Sequence, residues 1–203
     1  QGEIWEWNGV VWQQHVAPNA PWRLDPAVYF DTATQRIAVF GGTDFQVFGF
    51  STMSGSSRTD AYSWDGSAWS SVHNDLRPGS RYGHILCEQP GGDVVLFGGT
   101  YQQAVGDDTW VWRGNGWDAQ APAHRPPARS AAGAAFDSTR QETLLFGGAA
   151  SGTYLADLWA WNGQDWALRD GGSGPVGRAE IALSYDAGRG VLVLFGGFSA
   201  GGN

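Results

Sequence analysis

Two acids and a recurring set of arginines are the residues of this chain that could do chemistry. Asp25 and Glu180 each stand two residues after an arginine, Arg23 and Arg178 respectively. Two carboxylates facing each other across a narrow channel could act as general acid and general base, for example on a sugar. The alternative is that both acids line a solvated channel and have no catalytic role.

The arginines themselves could form a ring that attracts an anionic ligand. Those that follow a Pro-rich or Gly-rich stretch are Arg23, Arg81, Arg129 and Arg178. Acids that recur with the same spacing are Glu3, Asp60, Asp108 and Asp157. One acid for each arginine favours structural ion pairs, because a site that is used once would not be built four times.

A recognition site is a further interpretation of the region around Arg23. Trp22 is the one tryptophan of twelve that lies off the spacing of the others, and it neighbours Arg23 and Asp25. An exposed indole beside a carboxylate and a guanidinium suits stacking on a sugar ring with hydrogen bonds to its hydroxyls. Alternatively, Trp22 fills the joint between two repeats.

The longest predicted loop, residues 43–59, belongs to the same repeat. It has 17 residues where the two corresponding segments have eight. Phe45, Phe48, Phe50 and Met53 have no counterparts in those segments. An apolar loop of this kind either grips a partner or folds over to cap its own core.

The histidines and the cysteine form no catalytic pattern. His84 and Cys87 are three residues apart in a predicted strand and therefore point to opposite faces. The single cysteine excludes an internal disulfide. The spacing predicts no metal site and no cofactor, because the four histidines occupy unmatched positions, which are His15, His73, His84 and His124.

Composition limits the partners. A net charge of −8 argues against a nucleic acid or an anionic membrane surface as the main partner, since both require a basic face. No run of 18 apolar residues is present, so no membrane span is predicted. The stretch from Gln1 to Trp7 lacks the basic and apolar regions of a signal peptide.

Internal repeats are the elements that must position these residues. Phe-Gly-Gly begins at Phe40, Phe97, Phe146 and Phe195, with spacings of 57, 49 and 49 residues. The motif aromatic-x-Trp-x-Gly-x-x-Trp keeps the same period and occurs as WEWNGVVW, YSWDGSAW, WVWRGNGW and WAWNGQDW. A fixed period near 50 residues indicates an array of small structural units.

Each unit is predicted to hold four short strands. The first two are apolar on both faces, as in "RSAAGAAF" and "ETLLF", which is typical of strands covered on both sides. The third and fourth flank hairpin signals such as Asn8-Gly9 and Asn162-Gly163. No segment shows helical periodicity, so the predicted fold is all-β.

A single four-stranded unit cannot bury two apolar faces, so the units are expected to stack face to face. The large indoles would fill the space between adjacent sheets. Eleven of the twelve tryptophans occupy repeat positions, and we expect these eleven to be core residues.

These motifs resemble those of the kelch-repeat β-propellers of the bacterial type, such as the central domain of galactose oxidase. The double glycine after an apolar strand, the aromatic about 20 residues later and the following tryptophan carry the resemblance. It implies one propeller unit over residues 1–203, with repeats of about 3–42 (partial at its start), 43–99, 100–148 and 149–197. It further implies four-stranded antiparallel blades, one of them completed by strands from both termini, near Trp5 and Trp12 and near Ala182 and Val193.

The expected function is a non-catalytic recognition or assembly module that binds a glycan or a protein segment on the face carrying loop 43–59. One alternative is a carbohydrate-active enzyme, a mutarotase or glycoside-acting enzyme with acids at the channel mouth. Another is a structural subunit of a larger ring or filament, with self-association through uncovered sheet faces. An extracellular or cell-envelope location is expected from the acidic, lysine-free, tryptophan-rich repeat and from similar bacterial propellers. The predicted binding residues are Trp22, Arg23, Asp25, Phe45, Phe48, Phe50, Arg81 and Glu180.

Overall fold

The computed structural model describes residues 3–17, 19–44, 46–48, 52–54, 56–72 and 78–201, and within them it contains strands and turns but no helix. The strands in chain order are β1 Ile4–Trp7, β2 Trp12–His15, β3 Ala27–Asp31, β4 Arg36–Phe40, β5 Gln46–Phe48, β6 Thr52–Ser54, β7 Ala61–Trp64, β8 Trp69–Val72, β9 Ile85–Glu88, β10 Val94–Phe97, β11 Thr100–Tyr101, β12 Ala104–Val105, β13 Thr109–Trp112, β14 Trp117–Gln120, β15 Gly133–Asp137, β16 Glu142–Phe146, β17 Ala149–Ala150, β18 Thr153–Tyr154, β19 Leu158–Trp161, β20 Trp166–Asp170, β21 Arg178–Ala179, β22 Ala182–Asp186, β23 Val191–Phe195 and β24 Phe198–Ser199. The prediction of an all-β chain is confirmed.

Three antiparallel four-stranded sheets form the body of the protein. Sheet A has the order β3-β4-β7-β8, sheet B the order β9-β10-β13-β14 and sheet C the order β15-β16-β19-β20. Two further hairpins form two-stranded sheets of their own: β1-β2, here called the first hairpin, and β22-β23, here called the last hairpin. Short two-stranded ladders, β5-β6, β11-β12, β17-β18 and β21-β24, lie outside these sheets.

The third and fourth strands of each repeat are joined by tight turns with local side-chain capping. The Asn162 side-chain oxygen accepts the backbone N–H groups of Gln164 and Asp165 at 2.9 Å, and Gly163 has a φ of 97°. Asp65 does the same for Ser67 and Ala68, and those hydrogen bonds lower its pKa to about 2. These turns set the strand register that places two tryptophans opposite each other.

The core lies between adjacent sheets. Trp112 and Trp117 of sheet B pack on Tyr29 and Phe40 of sheet A, with ring centroids 5.6 to 6.3 Å apart. One sheet further along, Trp166 of sheet C packs on Phe97 of sheet B at 5.2 Å, and Trp161 belongs to the same cluster. The predicted role of the internal tryptophans as inter-sheet core is therefore confirmed.

The terminal segments correct the predicted completion of one sheet by both ends of the chain. β1 pairs with β2 and β22 pairs with β23, and no ladder joins the two hairpins in the described residues. The first hairpin packs instead beside sheet A, where Trp64 Nε1 donates to Glu6 at 2.8 Å. The last hairpin lies against β15 of sheet C. The first hairpin therefore neighbours sheet A and the last hairpin neighbours sheet C.

The expectation that all eleven periodic tryptophans are core residues is wrong for those of the first hairpin. Trp5, Trp7 and Trp12 are 49%, 52% and 63% exposed, whereas Trp161 and Trp166 are 1% exposed. The physical reason is that, among the residues the structure describes, no sheet lies against the face that carries Trp7 and Trp12. In the last hairpin Phe195 is likewise uncovered, since 79% of it is exposed.

Candidate functional site at the end of the sheets that carries Trp22

The connection after the second strand of each repeat lies beside the segment that precedes the first strand. Isolated antiparallel bridges join Leu24 to Thr43, Tyr82 to Thr100 and Ser130 to Ala149, and the β21-β24 ladder occupies the same place in the last repeat. The two kinds of connection therefore share one end of the sheets, as the sequence predicts. We call this end the Trp22 end.

Arg129 shows what the repeated arginine does at this end. It is fully buried, and its Nη1 and Nη2 donate to the two carboxylate oxygens of Asp157 at 2.7 and 2.8 Å. Nη1 also donates to the carbonyl of Gly147, and Nε donates to that of Pro127, both at 3.0 Å. The guanidinium thus clamps the end of the second strand to the start of the third.

Arg81 repeats the arrangement in sheet B. It donates to both oxygens of Asp108 at 2.9 and 2.7 Å and to the carbonyl of Gly98 at 2.9 Å, and it is 3% exposed. The geometry is that of a structural ion pair, and it leaves Arg81, one of the predicted binding residues, almost no surface for a ligand. Arg23 makes the corresponding contact, with Nη2 donating to Asp60 at 2.7 Å.

The acids of these pairs are held in their charged form. Burial alone raises the pKa of Asp157, but the hydrogen bonds from Arg129 and Trp159 and the arginine charge outweigh it, so the pKa lies below its ordinary value. The same balance, with Arg81 and Trp110 as donors, lowers the pKa of Asp108. The positive charge of an arginine already compensates the negative charge of each acid. We therefore assign these ion pairs to the scaffold.

Trp22 differs from its counterparts in the other repeats. It is 41% exposed, whereas the equivalent positions carry the small residues Ser80, Ala128 and Gly177. At Gly177 even a Cβ would lie 2.3 Å from the Tyr154 carbonyl oxygen. The first repeat alone therefore presents an indole at this position.

Residues beside Trp22 complete an exposed patch. Arg23 Nη1 donates to the Trp22 carbonyl at 3.0 Å, and the guanidinium lies 5.8 Å from the centre of the Tyr62 ring. Leu24 is exposed, and its N–H and C=O groups both bond to Thr43 at 2.8 Å. Asp25 is exposed and, within the described part of the chain, makes no hydrogen bond or ion pair. Trp22, Leu24 and Asp25 are called the recognition patch below.

Loop 43–59 begins directly beside this patch. Its base is closed by the Thr43–Ser57 bridge and by an ion pair between Asp44 and Arg58. Where the other repeats have ladders of two residues per strand, this loop has the three-residue strands β5 and β6. Phe48 is in β5, while Phe45 and Phe50 lie outside the described residues.

Asp25 and Glu180 occupy equivalent positions in the first and the last repeat. The Glu180 N–H donates to the Ala131 carbonyl at 2.8 Å, and the Ala131 N–H donates to the Gly83 carbonyl at 2.7 Å. Gly83 and Ala131 are the equivalents of Asp25 and Glu180 in the intervening repeats, so two repeat positions separate the acids. All four residues have left-handed φ values between 50° and 63°. Only the glycine among them signals this conformation in the sequence.

His84, His124 and Cys87 form no second site in the part of the chain that the structure describes, and His73 lies outside it. His84 is buried against Phe40, and burial lowers its pKa to about 3, while burial raises the pKa of the Cys87 thiol to about 11. His124 is exposed and contacts Asp165 at 2.8 Å. No group of three potential metal ligands occurs in the ranges that the structure describes, and none of its elements is a helix long and apolar enough to cross a membrane.

Comparisons with known proteins support the fold and leave the family open. No family model matches the chain, and no curated protein matches it. Among solved structures, "Structure of YjhT" is similar over 98% of this chain and 70% of that one, with a TM-score of 0.75 and 15% sequence identity. At this identity the likeness shows a β-propeller-like all-β fold, while the kelch type and the number of blades stay predictions.

Proposed function

We propose that the chain is a non-catalytic recognition module that binds a glycan or a protein segment at the Trp22 end. The observation that carries this proposal is the recognition patch: an exposed indole where the other repeats carry Ser80, Ala128 and Gly177, beside an exposed leucine and an exposed carboxylate. A β-propeller-like fold is compatible with such a role, although the fold alone does not specify one.

The chemistry of the patch favours a carbohydrate as the first ligand class. An indole face stacks on the apolar face of a sugar ring, and a carboxylate accepts hydrogen bonds from vicinal hydroxyls. Loop 43–59, whose base is joined to Leu24 through Thr43, would extend the patch. A protein segment would use the same indole and leucine as an apolar anchor, with Asp25 selecting a basic or hydroxyl-bearing neighbour.

The alternative function, a carbohydrate-active enzyme, would use Asp25 and Glu180 as an acid pair. A glycosidase-type acid pair requires two carboxyl groups within about 5 to 10 Å of each other. The recognition patch contains Asp25 alone, so the proposed binding does not require the two acids to lie within that distance.

Binding to a glycan array and a peptide array, followed by titration of the retained ligand, tests the proposal. Trp22→Ala should weaken the retained ligand at least about 10-fold, and Asp25→Asn should weaken a glycan more than an apolar peptide. Phe48→Ala measures the contribution of the loop.

Tyr101→Ala is the matched control. Tyr101 is an aromatic residue of the second repeat at the same end and is 39% exposed, close to the value for Trp22. Its removal should leave binding unchanged. Equal affinities of the Trp22→Ala variant and the unmodified protein, with both folded by circular dichroism, would refute the proposal.

A further inference from the structure

By repeat equivalence, the first and last hairpins correspond to the two halves of one four-stranded sheet. In the repeat, β22 and β23 correspond to the first and second strands, and β1 and β2 correspond to the third and fourth. In sheet C the second and third strands pair with Thr143 opposite Trp161 and Phe146 opposite Leu158. β23 and β1 each have a partner on one side only in the described residues. The unpaired edge of each is the edge that the internal sheets use to join these strands.

The charges at the two hairpins are complementary. Arg178 Nε and Nη1 donate to the carbonyls of Val176 and Gly196 at 3.1 and 2.9 Å, the same two backbone bonds that Arg81 and Arg129 make. Within the described residues, however, Arg178 has no carboxylate partner. Its guanidinium is therefore already oriented for an acid at the start of a third strand.

Glu3 is that acid, and it lacks an arginine. Trp5 Nε1 donates to Glu3 at 3.3 Å, as Trp110 donates to Asp108 and Trp159 donates to Asp157 at 2.7 Å. The two aspartates also accept a bidentate arginine, whereas Glu3 has no ion pair in the described part of the chain. One half of a repeated ion pair is thus exposed at each hairpin.

The apolar surfaces match in the same way. Trp7 and Trp12 have ring centroids 5.6 Å apart at an interplanar angle of 47°, close to the 5.5 Å and 45° of the buried pair Trp161 and Trp166. Between the outer part of sheet C and the last hairpin lies a groove of about 300 Å³. Its apolar lining is Leu144, Leu158, Tyr185 and Leu192.

The groove on sheet C corresponds to the place where internal tryptophan pairs sit. Leu144 is the repeat equivalent of Ala38, and in the cleft between sheets A and B the residue facing Ala38 is Trp112. A tryptophan pair on a third and fourth strand added to the last hairpin would enter the groove in the same manner. Trp7 and Trp12 are the exposed pair of this kind.

We infer that the first hairpin of one copy of this chain completes the sheet begun by the last hairpin of a second copy. β1 of one copy pairs with β23 of the other in the internal register, with Trp7 opposite Leu192 and Ile4 opposite Phe195. Glu3 accepts the Arg178 guanidinium, and the indoles of Trp7 and Trp12 fill the groove on sheet C.

The contact is head-to-tail. Used twice between two copies, it gives every first hairpin and every last hairpin a partner.

Solution mass and a charge exchange test the inference. Native mass spectrometry and light scattering should give twice the chain mass of 21.8 kDa at micromolar concentration. Arg178→Glu or Glu3→Arg alone should raise the dimer dissociation constant at least about 100-fold, because each leaves like charges in a buried joint. The double variant should recover most of that loss.

Arg113→Glu is the matched control for the charge change. Arg113 is exposed and pairs with the exposed Asp118 of its own sheet, so its reversal should not change the dissociation constant. A strictly monomeric unmodified chain overturns the inference, as does a dimer that the two single reversals do not weaken.

A disulfide tests the register and the identity of the occupant. Phe195→Cys combined with Ile4→Cys places two thiols at facing positions, where Cα atoms of a strand pair lie about 4.5 to 5.5 Å apart, within disulfide range. Mild oxidation should give covalent dimers, while Phe195→Cys with Gln13→Cys, one strand further away, should not. A disulfide within a single chain would show closure of the chain on itself and would overturn the second copy as the occupant.

Discussion

The tryptophan pair of sheet C and that of the first hairpin have the same local geometry in opposite environments. Trp161 and Trp166 face each other across a hairpin and are almost completely buried, whereas Trp7 and Trp12 face each other in the same register and are more than half exposed. The ring distances differ by 0.1 Å. The hairpin therefore determines the geometry of the tryptophan pair, while the burial of the pair depends on whether another sheet lies against it.

The same contrast separates the glycines of internal and terminal repeats. Gly98 and Gly196 are the first glycines of equivalent Phe-Gly-Gly motifs and have φ values of 66° and 72°. A Cβ on Gly98 would lie 2.5 Å from the Arg129 carbonyl oxygen of the next repeat, whereas a Cβ on Gly196 would meet no atom within 4 Å. Identical motifs thus differ in how much the following repeat constrains them.

The largest expected effect comes from truncating one tryptophan at the same motif position in each region. Trp166→Ala should lower the free energy of unfolding by about 3–5 kcal/mol, because it opens a cavity against Phe97 and leaves the Thr109 hydroxyl without its indole donor. Trp12→Ala should cost less than about 1 kcal/mol, because its indole is exposed. Urea unfolding followed by far-ultraviolet circular dichroism measures both.

Both variants are compared at a dilution below which the unfolding free energy no longer depends on concentration, so that association does not contribute. Similar losses for Trp166→Ala and Trp12→Ala would mean that the first hairpin is covered by its own chain. That result would remove the contrast between the internal and terminal regions.

The glycine pair gives a smaller and sharper difference. Alanine in a left-handed conformation costs about 1–2 kcal/mol, and this strain applies to both Gly98→Ala and Gly196→Ala. Gly98→Ala must also displace the Arg129 carbonyl, so its total cost should be at least about 1 kcal/mol larger than that of Gly196→Ala. Thermal and urea unfolding of the diluted variants measure the difference, and equal costs would contradict it.

Sequence reasoning predicted the features that repeat units determine by themselves. The strands, the hairpin turns and the pairing of Arg81 with Asp108 and of Arg129 with Asp157 follow from contacts within one unit, and the repeated spacing makes them visible. The exposure of Trp7 and Trp12 could not be predicted in this way, because the motif around them is the same as the buried one. The separate pairing of the two terminal hairpins depends likewise on what lies next to them.

The candidate site shows the same division. The proximity of Trp22 to loop 43–59 could be predicted, since both belong to one repeat and to connections at one end. The facing of Asp25 and Glu180 across a channel stays a prediction, because repeat equivalence does not specify how the repeats are arranged around a channel. The left-handed backbone conformation of Asp25, Ala131 and Glu180 could not be predicted from the sequence either. Of the four equivalent positions, only Gly83 has the residue type that indicates this conformation.

The smallest effect concerns His84. It is a titratable residue at a core position where the other repeats have Pro26, Ala132 and Ile181. Burial, assisted by the Arg81 charge and opposed by that of Asp108, lowers the pKa of His84 to about 3, and neither ring nitrogen has a hydrogen-bond partner in the described residues. In the unfolded chain the imidazole has a pKa near 6.5. Between these values the unfolded chain binds a proton that the folded protein does not, so acidification favours unfolding.

The free energy of unfolding should therefore fall by up to about 1.4 kcal/mol for each pH unit between pH 6.5 and pH 5. In this range the low pKa values of Asp108 and Asp157 keep both acids charged, so the ion pairs contribute no slope. His84→Leu should flatten the dependence without loss of a hydrogen bond, whereas His124→Leu, at an exposed histidine, should retain it. Urea unfolding at pH 7, 6 and 5 measures how the free energy of unfolding of each variant depends on pH. An unchanged dependence in His84→Leu would contradict the prediction. It would mean that a proton, and with it water, reaches the central sheets as readily as the exposed terminal hairpins.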